Sequence, residues 1–163
     1  MDRLWAPWRM AYIKESKKEQ GCVFCLAAST EKDSDRYVVY RGSHVFIIMN
    51  LYPYNNGHVM VTPFRHIGSV EEMSDEEMLE TMRLIRLAVK AISSVMKPDG
   101  FNIGANVGKS AGAGIEDHVH FHIVPRWRGD TNFMTIISDT RVLPETIDET
   151  YKRLVAAIAE LTG

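Results

Sequence analysis

The sequence has few cysteines, no long apolar run and no excess of one charge. Its two cysteines form a single C-x-x-C pair, Cys22 and Cys25, which suits a reducing compartment better than a disulfide-stapled fold. The longest strongly apolar run, residues 45–49, is far shorter than the roughly 20 residues of a membrane helix. The first residues include charges and tryptophans but no apolar signal stretch. These absences predict a cytoplasmic protein that does not enter a membrane.

The charge balance argues against a nucleic-acid partner. The 163 residues carry 19 lysines and arginines against 21 aspartates and glutamates, for a formal net charge of −2. Long nucleic acids require a broad basic surface, whereas a small anionic ligand needs only a local patch. With 45% hydrophobic and 25% charged residues, the composition is that of an average soluble protein, and we expect one domain over residues 1–163.

Hydrophobic periodicity predicts strands and two amphipathic helices. The predicted strands cover residues 36–40, 44–50, 57–63, 101–107 and 118–125. A capping-box pattern at residues 74–77 precedes a long helix, whose stripe of methionines, isoleucines and a valine is interpreted as core: Met78, Met82, Ile85, Val89, Ile92 and Met96. Pro144 opens a C-terminal helix within residues 140–163. Residues 1–35 are predicted to be an irregular, partly helical N-terminal extension that carries the cysteine pair.

Three histidines alternate along the last predicted strand. Residues two apart in a strand share a face and lie about 6–7 Å apart, so His118, His120 and His122 are expected to line up. Three imidazoles are costly as core filler because each brings a donor and an acceptor that need partners. Near neutral pH, one imidazole can attack an electrophile while its neighbours donate hydrogen bonds to developing negative charge. A glycine-rich loop at residues 108–114 offers backbone N–H groups for an anion just before this strand.

The C-x-x-C spacing allows one short turn to present two thiolates to a tetrahedral metal ion. Two further ligands are then required. A thioredoxin-like dithiol and a pair of free buried thiols are the alternatives that the spacing leaves open.

The order of these motifs resembles the histidine triad family. The H-x-H-x-H motif is followed by Ile-Val-Pro and preceded by Gly57-His58 and Asn106-Val107-Gly108. The resemblance covers Cys22 to about Trp127. It implies an α+β fold with an antiparallel sheet of about five strands, one long helix and a C-terminal helix. It also implies a homodimer that acts on nucleotides or dinucleoside polyphosphates through a covalent nucleotidyl-histidine. Residues 126–133 further resemble the branch of diadenosine polyphosphate hydrolases and phosphorylases.

The resemblance implies three catalytic histidines. His120 corresponds to the residue that attacks the α-phosphorus, and His122 to the partner that hydrogen-bonds the phosphate oxygens. His58 corresponds to the residue that reaches the active site from a neighbouring strand.

The same resemblance implies the nucleotide-binding residues. Ile48 and Leu51 would flank the base, Asn50 would bind the ribose hydroxyls, and Asn106 would lie near the phosphates. The family loop carries Gln followed by Ser or Thr where this chain has Gly114-Ile115. We therefore assign anion binding to backbone N–H groups near Gly114, with Ser110 as a substitute donor.

Zinc-bearing members of the family complete the cysteine pair with two histidines. One ends a Pro-x-x-His motif and the other is the first of the triad, which nominates His66 and His118 beside Cys22 and Cys25. The implied zinc is structural, and no organic cofactor is expected.

Three questions stay open at this point. The acceptor of the nucleotide is either water or inorganic phosphate, so the enzyme is a hydrolase or a phosphorylase. A non-catalytic, nucleotide-binding regulatory protein would keep the same fold and pocket. A catalytic zinc bound by the triad itself is the third alternative, although alternate strand positions make a poor tetrahedral set.

Overall fold

The computed structural model describes residues 21–130 and 145–163 of the chain. Parts of three predictions lie outside the described residues. They are residues 1–20 of the predicted N-terminal extension, residues 131–133 of the motif at 126–133, and Pro144 at the start of the C-terminal helix.

Within the described residues, five strands form one antiparallel sheet. The strands are β1 (Val38–Arg41), β2 (Val45–Met49), β3 (Val59–Pro63), β4 (Gly100–Gly104) and β5 (Phe121–Arg126), in the order β1-β2-β3-β5-β4. The helices are α1 (Val23–Ala28), α2 (Asp75–Met96) and α3 (Ile147–Thr162). The predicted α+β architecture is confirmed. None of these helices combines the length and the apolar content that a bilayer span requires.

All five predicted strands were longer than the observed ones, and two of them differ by three residues at one end. The strand predicted over residues 118–125 begins at Phe121, because the backbone of Val119 bonds outside the ladder: its N–H donates to the Ile67 carbonyl, and its carbonyl accepts from the Thr62 hydroxyl. The strand predicted over 101–107 ends at Gly104, which pairs with His122 near the start of β5. Residues 105–107 lie beyond the paired segment, so their side chains belong to a loop.

Helix α2 begins where its capping box predicts. The Ser74 hydroxyl accepts from the Glu77 N–H, and the Glu77 carboxylate accepts from the Ser74 N–H. The predicted core stripe was partly wrong, because Met78 and Met82 are 39% and 62% exposed. The buried face instead carries Thr81, Leu84, Ile85, Ala88, Ala91 and Ile92. Two small alanines on this face allow α2 to approach the sheet closely. A prediction based on the large apolar residues did not include them.

The two faces of the sheet bury different clusters. Helices α2 and α3 cover one face, where the inward residues of β2 and β3 are Val45, Ile47, Met49, Val59 and Val61. The alternate residues Phe46, Ile48 and Met60 face α1 and pack with its Phe24 and Ala27. His122 lies opposite Met60 in the β3–β5 register and therefore belongs to the α1 side of the sheet. The candidate site forms on that side.

Candidate active site and metal centre

His120 lies just before the start of β5, and one of its ring nitrogens is hydrogen-bonded to the backbone. Its Nδ1 lies 2.8 Å from the His118 carbonyl oxygen, which can only accept, so Nδ1 carries the proton. In the neutral ring the lone pair is therefore on Nε2. Burial lowers the pKa of His120 below the ordinary imidazole value, and the hydrogen bond to the carbonyl acts in the opposite direction. Near neutral pH, this geometry favours an uncharged imidazole with a nucleophilic Nε2.

His122 is linked to a fully buried second histidine. Its Nδ1 lies 2.9 Å from Nε2 of His58, which is 0% exposed. On the other side, the rings of His122 and His120 lie edge to face, 4.9 Å apart. His122 is thus positioned between the candidate nucleophile and His58.

A cavity of about 940 Å³ opens beside these rings, within the size range of small-molecule sites. Most of the predicted nucleotide-site residues line it together: Ile48, Asn50, Leu51, Asn106, Gly114, His120 and His122. Ser110 is exposed and is not among the lining residues, and His58 lies behind His122 rather than at the cavity wall. These positions are compatible with the predicted roles, which stay predictions.

Several residues of the cavity wall were not predicted from the sequence. Phe24, Tyr37, Tyr52 and Tyr54 add aromatic rings, and Arg36 adds a guanidinium. Phe24 carried a signal that could have been used, because it lies inside the C-x-x-C pair. Tyr52 and Tyr54, in the loop that follows β2, had no sequence signal other than being aromatic.

The four predicted metal ligands converge at the edge of the same cavity. One ligand atom from each of Cys22, Cys25, His66 and His118 lies within 4.8 Å of all the others. His118 Nδ1 is 3.3 Å from Cys22 Sγ, 3.7 Å from Cys25 Sγ and 3.3 Å from His66 Nδ1. A tetrahedral ion with bonds of about 2.3 Å to sulfur and about 2.0 Å to nitrogen separates its ligands by roughly 3.3–3.8 Å. The donor set therefore fits zinc in kind and spacing.

Protonation supports this fit. Nε2 of His118 lies 2.8 Å from the Pro63 carbonyl oxygen and must donate to it, so in the neutral ring Nδ1 presents a lone pair to the two sulfurs. Burial, followed by the neighbouring Cys22 sulfur, raises the pKa of the Cys25 thiol. A divalent cation would supply the opposite charge that a thiolate pair requires.

His118 and Phe24 connect the metal centre to the candidate nucleophile. The His118 ring faces the cysteines while its carbonyl holds Nδ1 of His120. The ring of Phe24, 1% exposed, packs edge-on against that of His118 and tilted against that of His120, with centroids 5.2 Å and 4.9 Å apart. Among the described residues, the cluster with metal-ligand spacing includes neither His120 nor His122. This division disfavours a catalytic metal bound by all three triad histidines.

Comparison with known families and structures agrees with this geometry. The HIT domain family model matches residues 31–129 of the chain. In sequence, the chain is 42% identical to a Mycobacterium tuberculosis protein named AP-4-A phosphorylase, over 96% of this chain and 83% of that protein.

Two solved structures resemble the fold closely. A zinc-bound histidine triad family protein from Mycobacterium smegmatis superposes with a TM-score of 0.70 at 29% identity, covering 86% of this chain and 95% of that one. A hypothetical histidine triad nucleotide-binding protein from Sulfolobus tokodaii superposes with a TM-score of 0.66 at 30% identity, covering 85% of this chain and 90% of that one.

Proposed function

Because the chain belongs to the HIT domain family, we propose that it cleaves the α-phosphate anhydride of a dinucleoside polyphosphate or a related nucleotide through a covalent nucleotidyl-His120 intermediate. The observation that carries the proposal is the bond from His120 Nδ1 to the His118 carbonyl, which leaves the Nε2 lone pair on a neutral ring. A positioned neutral imidazole is the nucleophile that such a displacement needs.

The proposed reaction has two displacements at phosphorus. Nε2 of His120 bonds to the α-phosphorus while the bond from that phosphorus to the bridging oxygen breaks, and the leaving group departs with that oxygen and the electron pair. An oxygen of the acceptor then bonds to phosphorus as the P–N bond breaks, which returns the lone pair to Nε2; if the acceptor is water, its proton passes to the solvent. His122 stabilises the oxygens by donating a hydrogen bond as negative charge develops.

We assign His58 a positioning part beside the catalytic histidines. It is fully buried and meets His122 Nδ1 at 2.9 Å, which supports a role in positioning His122 rather than direct contact with substrate. For the nucleotide, we assign the base to the apolar wall near Ile48 and Leu51, and the ribose to Asn50. The phosphates are assigned to Asn106 and to backbone N–H groups near Gly114.

A structural zinc held by Cys22, Cys25, His66 and His118 is part of the proposal. Its bonds would join α1 to the segment that carries the triad. Two contacts connect this proposed metal centre to His120: the hydrogen bond to the His118 carbonyl and the packing of the Phe24 ring.

The acceptor distinguishes two candidate activities. Phosphorolysis is favoured by the likeness to the M. tuberculosis relative, whose name states a phosphorylase activity. Turnover of a diadenosine polyphosphate with and without inorganic phosphate separates the two activities. If the rate is unchanged when phosphate is removed, the enzyme is a hydrolase.

We also propose that the protein is a cytoplasmic homodimer that pairs through β4. Strand β4 is the last in the sheet order, and such an edge presents backbone groups that another chain can pair with. Ile103 on β4 is 48% exposed, and Val107 beyond it is 42% exposed. Light scattering should give twice the chain mass, and Ile103→Lys should give a monomer.

Mass spectrometry of the protein quenched during turnover tests the intermediate. We expect an added nucleotide mass on the peptide that contains His120, and no such mass in the His120→Ala protein. An adduct on another residue, or turnover without any adduct in a rapid quench, would contradict the proposed mechanism. The mass of the adduct also identifies the base.

A further inference from the structure

Tyr54 lies between the cavity and the buried His58. Its backbone N–H is 3.0 Å from His58 Nδ1, and the two rings are stacked with centroids 5.2 Å apart at 16°. The same tyrosine ring lies 6.1 Å from that of His122. Tyr54 therefore contacts both histidines that stand beside the proposed nucleophile, and it lines the cavity as well.

The backbone contact determines which nitrogen of His58 carries the proton. A backbone N–H can only donate, so Nδ1 of His58 must accept, and the neutral ring then carries its proton on Nε2. That Nε2 donates to Nδ1 of His122, 2.9 Å away. Since Nδ1 of His122 accepts, the proton of neutral His122 lies on Nε2. One amide of Tyr54 thus sets the tautomers of two histidines in series.

The reverse arrangement fits the structure less well. It would let Nε2 of His58 accept from the side-chain amide of Asn50, but that contact is 3.5 Å, at the long limit for a hydrogen bond. It would also place an N–H of His58 against the N–H of Tyr54 at 3.0 Å. The shorter contacts agree with one direction only, from Tyr54 through His58 to His122.

The loop that carries Tyr54 is tied to the strand that carries His122. The Asn55 side-chain amide donates to the Pro125 carbonyl of β5 at 3.0 Å, and the Asn55 carbonyl accepts from the His58 N–H at 3.2 Å. These bonds fix the positions of the Tyr54 N–H, the His58 ring and the end of β5 relative to one another. The stacked ring of Tyr54 then restricts rotation of His58 from the cavity side.

We propose that Tyr54 is a positioning residue that fixes the proton of His122 on Nε2, where it can be donated to a phosphate oxygen of the substrate. This inference rests on the proposed function of the same site. Tyr54 acts through its amide and its ring, not through its hydroxyl, so Tyr54→Phe is the matched conservative variant.

Three variants separate the contributions of the ring and the amide. We expect Tyr54→Phe to keep kcat within about twofold and Tyr54→Leu to lower kcat by about tenfold, the lower end of what outer-shell partners of an imidazole contribute. Tyr54→Pro removes the N–H and should lower kcat further. A residue that only contacts substrate would instead raise KM and leave kcat unchanged. A fall in kcat with Tyr54→Leu that Tyr54→Phe does not share therefore supports the positioning role.

Nitrogen NMR of the imidazoles, recorded without substrate, measures the tautomers directly. We expect protonated Nε2 and unprotonated Nδ1 for both His58 and His122 in the wild-type and Tyr54→Phe proteins, and mixed tautomers in Tyr54→Pro. Protonated Nδ1 on His58 in the wild-type protein overturns the inference, and an unchanged kcat in Tyr54→Leu overturns the part that it assigns to the ring. If Tyr54→Pro does not fold, the wild-type spectrum and Tyr54→Leu still decide. Absence of an adduct on wild-type His120 would contradict the proposed function separately, because the tautomers are read without turnover.

Discussion

The histidine triad divides into two regions that differ in what the rings face. The ring of His118 is fully buried and points its Nδ1 at two cysteine sulfurs and His66. The rings of His120 and His122 face the cavity, and neither belongs to the metal-spaced cluster. Residues of one type, two positions apart, therefore have two chemical environments.

Backbone carbonyls account for the difference. The Pro63 carbonyl accepts a hydrogen bond from Nε2–H of His118, so the lone pair on Nδ1 of that ring faces the sulfurs. The His118 carbonyl accepts a hydrogen bond from Nδ1–H of His120, so the lone pair on Nε2 of that ring faces the cavity. Adjacent triad histidines thus have opposite tautomers, and each tautomer suits the neighbours that its ring meets.

The largest effect should come from the catalytic region. His120→Ala removes the proposed nucleophile and should lower kcat by about 10⁴-fold or more, as loss of a covalent nucleophile does elsewhere. Bound zinc, measured by elemental analysis, should be unchanged. Nucleotide binding by calorimetry should persist. Full turnover by this variant would show that His120 is not the nucleophile, whereas a wild-type protein that binds nucleotides without turnover would support the non-catalytic interpretation.

Substitutions among the proposed metal ligands should instead lower zinc content and stability first, and activity as a consequence. Cys22→Ser removes one proposed ligand and should lower the zinc content, with a fall in the unfolding temperature of about 10 °C, since a structural site contributes several kcal/mol at roughly 2–4 °C per kcal/mol. Activity should fall as a consequence, through the contacts of His118 and Phe24 with His120. Chelator treatment of the wild-type protein is the matching measurement. A zinc-free protein of unchanged thermal stability would contradict a structural role.

Between these regions and α2, the ion pair of Arg65 and Glu77 should add a pH-dependent contribution to stability. The Arg65 guanidinium, next in sequence to the proposed ligand His66, donates two bonds of 2.7 Å to the buried Glu77 carboxylate, which lowers the pKa of Glu77, and the Ser74 N–H lowers it further. The stabilisation is therefore present above the unfolded pKa of about 4.3 and disappears as pH falls through the lower folded value.

Glu77→Gln measures that contribution. We expect the variant to be less stable than the wild type in urea at pH 7, and the difference to shrink towards pH 3. The exposed neighbour Glu76, changed to Gln in the same turn of the helix, is the matched control and should have a smaller effect at pH 7. Equal effects of the two substitutions would argue against a specific bond to Arg65.

The smallest effect on activity should come from Asn50, in the wall of the cavity. Asn50→Ala should raise KM by about threefold to tenfold with little change in kcat, because a single neutral hydrogen bond contributes roughly 0.5–1.5 kcal/mol. If Asn50 binds the ribose, a 2′-deoxy substrate should lose less from this substitution than the ribonucleotide. Equal losses for both substrates would place Asn50 away from that hydroxyl.

Local signals in the sequence predicted the elements well. The capping boxes that start α2 and α3 use side chains three residues apart, Ser74 with Glu77 and Thr146 with Glu149, and the first of these was predicted. The face of α2 was less predictable, since Met78 and Met82 stay exposed while Ala88 and Ala91 are buried. Burial there depends on how closely the helix approaches the sheet, which the pattern of large apolar residues does not encode.

The candidate site shows the same division between local and distant signals. The C-x-x-C spacing predicted two thiolates of one turn, and the resemblance nominated the two histidines, but His66 and His118 meet Cys25 from 41 and 93 residues away. Ser110 was nominated from its place in a glycine-rich loop, yet Gly112 and Gly114 line the cavity and Ser110 does not. The path of a loop decides which of its groups face a ligand.

By itself, the sequence determined the family, the α+β elements, the residue types available for nucleophilic and metal chemistry, and the alternation of the triad. Only the tertiary structure decided which histidine faces sulfur, which faces the cavity, and which nitrogen of each ring holds the proton. The physical reason is that a tautomer follows from the partner opposite each nitrogen. Those partners are the carbonyls of Pro63 and His118 and the N–H of Tyr54, positioned by the packing of loops on the sheet.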